Sequence, residues 1–262
     1  MNNRIGILTY QNTSNFGAML QAFGLYAYLI KKGYSCKIID YKSESIAKRE
    51  NPQNIFNELK KANNLKSKLF ILLSRNKRVK KYNGLKKFLN NKDALSKEYS
   101  SSNISSSNQE FDTFLVGSDM VWNFTINKND FVFLLDFVND YKKKISYASS
   151  LGEEWVDSID KKVTSLFKRF NHIAIREEQF KQYLESKTSA DIDVVCDPTM
   201  LLNANEWMEY TDKTTFENYV LVYFNTDDSK CLNNAIDYAK NKGYRVKYIS
   251  LSIRKNPNMK SK

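Results

Sequence analysis

The segment that best indicates the fold is Phe114-Leu115-Val116-Gly117-Ser118-Asp119-Met120-Val121-Trp122-Asn123. A short apolar run that stops at glycine and small polar residues predicts a buried strand ending in a loop. Ligands of open α/β sheets lie in the crevice at the carboxyl ends of the strands, so this loop lies where a ligand is held. It offers the polar groups of Ser118, Asp119, Trp122 and Asn123. The alternative is an ordinary strand-to-helix turn, with Ser or Asp as a helix cap and Trp in the core.

Residues 1–41 predict a complete βαβ unit: a strand over 4–9, a helix over 18–29 and a strand over 35–41. The loop before the helix lacks the glycine spacing of a dinucleotide-binding or phosphate-binding loop. Backbone N–H groups beside Asn15 and Gly17 are still suited to a phosphate or a carboxylate. The alternative is that Asn15 and Gly17 only shape the helix start.

Length and composition predict one large or two smaller α/β domains, since the chain has 262 residues and is 42% apolar. No run reaches the roughly 18 apolar residues needed to cross a bilayer. The apolar run at the amino terminus is too short for a signal peptide. Cys36, Cys196 and Cys231 are widely spaced, and His172 is the single histidine. The sequence therefore predicts a cytoplasmic protein without a disulfide framework or a metal site.

The net charge of +12 is concentrated in residues 42–99, which carry sixteen basic and five acidic side chains. Within that segment Leu65, Leu69, Leu72 and Leu73 recur at helical spacing. The favoured interpretation is a solvated helical excursion whose apolar stripe packs on the domain. The alternative is a basic amphipathic helix, over 65–87, that contacts an anionic membrane. No nucleic acid is expected as a partner, because aromatic residues do not alternate with the basic ones.

Further strands are predicted over 143–150 and 172–176, after a polar linker at 100–108. The second of these strands ends in Arg176, whose planar fork suits a carboxylate or a phosphate. The alternative is a structural ion pair of Arg176 with Glu177 or Glu178. His172 lies near the start of the same strand and is interpreted as structural.

The last part of the chain predicts a second βαβ unit over 219–250, reached through a polar connection at 211–218. Two parallel strands and one helix cannot cover both faces of a sheet. We therefore expect a second domain that is cut short.

The ordered segments 10–21, 111–123, 145–152, 176–177 and 197–202 resemble the polysaccharide pyruvyl transferase family, in its bacterial branch. The resemblance implies two Rossmann-like domains as in type-B glycosyltransferases, the first over 1–210 and the incomplete second over 211–262. It implies transfer of a pyruvyl group from phosphoenolpyruvate to two hydroxyls of a sugar, giving a cyclic ketal in surface-polysaccharide synthesis. The acceptor is expected to be lipid-linked or nucleotide-linked at the inner membrane face, and no cofactor is expected besides the donor substrate.

The resemblance also assigns substrate-binding positions, with Arg176 as the cation that holds the donor. The other expected positions are Asn15, Gly17, Ser118, Asp119, Trp122 and Asn123. Met120 stands where the family usually has glutamine. The family's histidine motif lies beyond residue 262 and is not matched by His172, so no catalytic residue is assigned and the chain is expected to be truncated and nearly inactive. The alternatives are a nucleotide-sugar glycosyltransferase and a non-catalytic module that docks on a membrane or partner.

Overall fold

A parallel sheet forms the centre of the amino-terminal part of the chain. The computed structural model describes residues 3–53, 55, 59–60, 62–155, 157–188, 190–211, 218–224 and 229–250. Five strands pair in the order β3-β2-β1-β4-β5: β1 (Arg4–Leu8), β2 (Ser35–Tyr41), β3 (Leu95–Tyr99), β4 (Thr113–Val116) and β5 (Lys143–Ser146). All of these pairings are parallel, which confirms the predicted α/β class. In a sheet of this order the crevice for a ligand opens between β1 and β4, where the strand order reverses.

Two short strands, β6 (Ile173–Ile175) and β7 (Ile192–Val194), form a separate parallel pair beside β5, to which isolated bridges connect it. The link is made through Ser146, whose Oγ accepts a hydrogen bond from Ala174 N at 2.9 Å. Beyond it, Arg176 N donates to the carbonyl of Ser149 at 3.2 Å. This link brings Arg176 to the same carboxyl edge of the sheet as the loop that follows β4.

Eight α-helices lie within the described residues, and α1 has bounds close to those that the apolar periodicity predicts. They are α1 (Phe16–Lys31), α2 (Glu44–Glu50), α3 (Leu65–Asn91), α4 (Phe124–Asn127), α5 (Asp157–Phe167), α6 (Lys181–Thr188), α7 (Ala204–Met208) and α8 (Ser229–Lys242). Short 3-10 helices lie at Ile104–Gln109, Phe131–Leu134, Glu178–Phe180 and Pro198–Met200. β3 is missing from the prediction, because its alternating half-exposed residues lie inside the lysine-rich segment.

The predicted linker at 100–108 is wrong, since much of it forms a 3-10 helix against the core. Ile104 is buried, and the Asn108 side chain donates to the carbonyl of Phe137 at 3.0 Å and accepts from Asn139 N at 3.0 Å. A polar sequence therefore need not be a loop, because its side chains can bond to buried backbone groups.

The favoured interpretation of the leucine stripe on α3 is also wrong. Leu65 and Leu73 are 82% and 73% exposed, and Leu69 and Leu72 are more than half exposed. The carboxyl-terminal half of the helix packs on the domain, where Leu85 and Leu89 are buried, whereas Ser74 is the buried residue of the amino-terminal half among those described. The amino-terminal half carries its apolar stripe into solvent because none of the described elements covers that face.

The chain divides into two units, residues 1–206 and 207–262. In the second unit, β8 (Tyr219–Phe224) and β9 (Arg245–Ser250) pair in parallel and α8 connects them, as predicted. Val222 is buried, whereas Leu221 is 53% exposed on the opposite face of β8. That this βαβ unit begins an incomplete second Rossmann-like domain over 211–262 stays a prediction. Most of the predicted connection, residues 212–217, lies outside the described residues. Across the described ranges, no helix is both long enough and apolar enough to span a bilayer.

Candidate functional site

The loop after β4 begins with a glycine that its surroundings require. Gly117 has a φ of +113°, a conformation that L side chains rarely adopt. A Cβ at this position would lie 2.3 Å from the carbonyl oxygen of Tyr147 and 2.6 Å from Ser149 Oγ. The loop can therefore pass this close to the chain after β5 only because residue 117 has no side chain.

Ser118 follows, is fully buried and uses each of its polar groups inside the protein. Its N–H donates to Gln21 Oε1 at 3.1 Å, and its carbonyl accepts from Thr9 Oγ1 at 2.9 Å. Its hydroxyl donates to Asp197 Oδ2 at 3.3 Å. These bonds make Ser118 a link between the β4 loop, α1 and the segment after β7.

Arg176 lies at the end of β6 and is held by two carboxylates. Its Nε is 3.0 Å from Glu177 Oε1, which is the structural pair considered from the sequence, and its Nη1 is 3.1 Å from Asp197 Oδ2. Burial alone would raise the pKa of Asp197, but hydrogen bonds from Thr199 and Arg176 outweigh it and lower that pKa. The Arg176 side chain is 30% exposed, and its Nη2 has no hydrogen bond to the described residues. One edge of the guanidinium group therefore remains for a ligand.

Asp119 borders a small cavity of about 70 Å³ that Asn15, Arg49 and Glu50 also line. Burial raises the pKa of Asp119, while a hydrogen bond from Met120 N and the charge of Arg176 oppose the rise. A carboxyl group with a raised pKa holds its proton closer to neutral pH, which is what a general acid requires.

Replacing Asp119 by asparagine is expected to stabilise the fold at neutral pH. A carboxyl whose folded pKa is raised costs stability once the pH passes its unfolded value of about 3.9, and the loss grows until the folded pKa is passed. The neutral amide removes this loss and tolerates the positive φ of residue 119. Urea unfolding at pH 4 and pH 7.5 should show a gain for the variant only at the higher pH. Asp93→Asn, at an exposed position that also has a positive φ, controls for the backbone effect; an equal gain at both pH values contradicts the prediction.

The structure places Trp122 in the core rather than in the crevice. Its side chain is fully buried, its Nε1 donates to the carbonyl of Phe133 at 3.0 Å, and its ring lies 4.7 Å from that of Phe167. In this position Trp122 anchors the loop to the hydrophobic core.

Three of the other predicted positions, Asn15, Gly17 and Asn123, lie at the starts of helices. Asn15 caps α1 by accepting from Gly17 N at 2.8 Å, and Asn123 caps α4 by accepting from Ile126 N at 2.9 Å. Both arrangements are the capping alternatives considered from the sequence. Asn15 also lines the small cavity with Asp119. A substrate role for these residues stays a prediction.

A larger cavity, of about 260 Å³, lies at the carboxyl ends of β1 and β2 and was missed by the sequence reasoning. Lys42 and Lys86 line it, and the pattern of residues 42–99 had placed these lysines on a solvated face. Lys42 Nζ lies 2.7 Å from both Asn12 Oδ1 and Asp40 Oδ1. The sequence did contain one signal for this cavity, because Asp40-Tyr41-Lys42 places charged residues directly at the carboxyl end of a strand.

His172 lies away from this edge, at the amino end of β6. Its Nε2 is 3.0 Å from Asp193 Oδ2, and the side chain is about half exposed. Among the described residues, no group of three or more His, Cys, Asp or Glu side chains could hold a metal ion.

The fold and these residues define an α/β protein in which an arginine, a buried carboxyl and side-chain amides lie at the carboxyl edge of a parallel sheet. The chain belongs to the polysaccharide pyruvyl transferase family, whose sequence profile matches residues 15–260. The family is one of transferases that act on a sugar or polysaccharide. Comparison with curated proteins and with solved structures found no match.

Proposed function

We propose that this protein transfers the pyruvyl group of phosphoenolpyruvate to two hydroxyls of a sugar, as a step in surface-polysaccharide synthesis. The observation that carries the proposal is the position of Arg176. The chain belongs to this family, and its Arg176 side chain is partly exposed at the carboxyl edge of the sheet. The sugar oxygens form two bonds to the enol carbon, and its bond to the phosphate oxygen breaks. One hydroxyl proton ends on the methylene carbon, and the other leaves with the phosphate.

The reaction requires a cation for the donor and a group that moves protons. Arg176 supplies the cation, with its orientation fixed by Glu177 and Asp197. Asp119 lies at the same edge of the sheet, and its raised pKa suits delivery of a proton to the methylene carbon. Ser118 ties the two together, because it precedes Asp119 and bonds the carboxylate that holds Arg176.

Calorimetry with phosphoenolpyruvate and, separately, with a nucleoside diphosphate tests the proposal. Binding of phosphoenolpyruvate alone is the expected result. Tight binding of the nucleoside diphosphate with none of phosphoenolpyruvate would replace this proposal by a nucleotide-sugar glycosyltransferase.

We also propose that the protein is cytoplasmic and contacts the inner membrane face, where a lipid-linked acceptor is held. Support comes from the amino-terminal half of α3, whose leucine stripe is exposed. Basic side chains lie on the same half of the helix and just beyond it, at Lys66, Lys68, Arg75, Lys77, Arg78, Lys80 and Lys81. Exposed leucines beside basic residues are the composition of a helix that lies in an anionic membrane surface.

The double substitution Leu69→Glu and Leu73→Glu is expected to weaken binding to anionic liposomes by at least about tenfold, because it removes two apolar side chains and adds repulsion. Flotation with liposomes rich in phosphatidylserine measures this. Binding should also fall with salt, by screening. Leu221→Glu, at an exposed leucine of the second unit, is the control. Equal flotation of all three proteins would remove the membrane contact from the proposal.

A further inference from the structure

The larger cavity is formed by three parts of the chain that are distant in sequence. Tyr10 and Asn12 come from the end of β1, Lys42 from the end of β2, and Tyr82 and Lys86 from the packed half of α3. Its volume of about 260 Å³ is just below the roughly 300–1,000 Å³ of sites for drug-sized ligands. The space suits one sugar ring and is small for a nucleotide.

The charges around this cavity are balanced, which favours an uncharged ligand over a phosphate. Lys42 Nζ lies 2.7 Å from Asp40 Oδ1 and 3.6 Å from Glu98 Oε2. Lys86 Nζ lies 3.8 Å and 3.9 Å from the same two carboxylates. Burial alone would raise the pKa of Asp40, but hydrogen bonds from Lys42 and Asn12 outweigh it and keep that pKa low. Two cations therefore face two anions, and no net charge is left to bind an anion.

Tyr10 carries a buried hydroxyl that has no hydrogen-bond partner among the described residues. The residue is 7% exposed and lines both this cavity and the small one beside Asp119. The Asn127 side chain lies close enough to lower the pKa of the hydroxyl, but the two groups do not meet normal hydrogen-bond geometry. Asn127 instead donates from Nδ2 to the carbonyl of Val121 and accepts at Oδ1 from Asp130 N. A buried hydroxyl without a partner is unfavourable, and a ligand hydroxyl in the cavity would relieve it.

The remaining walls combine aromatic rings with amides. Tyr41, Tyr82 and Phe133 provide apolar surface, and Asn51 and Asn83 provide side-chain amides. A sugar ring presents C–H groups to aromatic faces and hydroxyls to amides, so this lining is complementary to it.

We propose that this cavity is the subsite that binds one uncharged sugar ring of the acceptor. The role as acceptor site rests on the proposed function; the recognition of a sugar rests on the cavity itself. Tyr10 lines both this cavity and the small cavity that Asp119 borders, so the proposed subsite is adjacent to the cavity of the proposed proton donor. Tyr82 lies about 14 Å along α3 from the exposed Leu73, at 1.5 Å per residue, so one helix joins the sugar subsite to the proposed membrane surface.

Saturation-transfer NMR with methyl glycosides of glucose, galactose, mannose and N-acetylglucosamine tests the subsite. The wild-type protein should transfer saturation to at least one glycoside. Tyr10→Phe should weaken that binding about three- to tenfold, the worth of one neutral hydrogen bond. Its midpoint of urea unfolding should stay unchanged or rise, since the variant removes an unpartnered hydroxyl. Tyr34→Phe, at a half-exposed tyrosine outside the cavity, should change neither property.

A second variant tests the contribution of the whole cavity, apart from that of the Tyr10 hydroxyl. Asn83 is exposed and lines the cavity, so Asn83→Trp places a bulky ring at its rim without disturbing the core. We expect loss of glycoside binding with phosphoenolpyruvate binding intact. Glycoside binding that both variants leave unchanged overturns the subsite, as does phosphoenolpyruvate binding by a wild-type protein that shows no glycoside signal. A third outcome separates the two proposals. If both cavity variants weaken glycoside binding but the wild type does not bind phosphoenolpyruvate, the subsite is supported and the proposed function is rejected.

Discussion

Gly117→Ala is expected to destabilise the protein by about 3 kcal/mol or more. The added Cβ would meet the Tyr147 carbonyl oxygen at 2.3 Å, so backbone must move, and such overpacking costs about 1–3 kcal/mol. Holding a residue with a side chain at a φ of +113° adds about 1–3 kcal/mol. Urea unfolding followed by circular dichroism measures the change. The loop that carries Ser118 and Asp119 is expected to be displaced in any fraction that folds.

Gly84→Ala is the matched control, because a Cβ on Gly84 would meet nothing within 4 Å. Gly84 lies inside α3, where alanine is favoured over glycine by about 0.5–1 kcal/mol. The same substitution should therefore stabilise at one position and destabilise at the other. A Gly117→Ala protein within about 0.5 kcal/mol of wild type, the range of an ordinary surface substitution, would contradict the structure of this loop.

Arg176→Ala is expected to weaken phosphoenolpyruvate binding by about 1.5–3 kcal/mol, the worth of a hydrogen bond to a charged group. This corresponds to a dissociation constant roughly 10- to 150-fold higher. Arg176→Lys keeps the charge but loses the planar fork, so its affinity should lie between those of Arg176→Ala and the wild type. Calorimetry on the three proteins gives the ranking.

The controls for Arg176 address the carboxylates that the substitution leaves behind. Asp197 and Glu177 both lose a partner, so each variant must first show wild-type circular dichroism and a cooperative urea transition. Arg75→Ala makes the same chemical change at an exposed site on α3 and should leave affinity unchanged. An affinity for phosphoenolpyruvate that is the same in Arg176→Ala and in wild type would show that the donor is held elsewhere.

Local sequence patterns predicted most of the elements that build the site. The run 114–116 and the glycine after it gave a strand and a loop, and both are present with Ser118 and Asp119 at the carboxyl edge. Strand β3 and the 3-10 helix at Ile104–Gln109 were missed, because one is half exposed and the other is polar. Their structure depends on neighbours: β3 pairs with β2, and Asn108 bonds to the backbone at Phe137.

The sequence by itself determined the βαβ order, the position of the β4 loop and the family, because side-chain periodicity and ordered motifs are local properties. Tertiary structure alone decided that Arg176 is shared between Glu177 and Asp197, and that the leucines of α3 face solvent. It also decided that Tyr10, Lys42 and Lys86 line one cavity. Tyr10, Lys42 and Lys86 are 32 to 76 positions apart in the chain, and no periodicity records which of them meet. That is fixed by the pairing of β1 with β2 and by the packing of α3 across their ends.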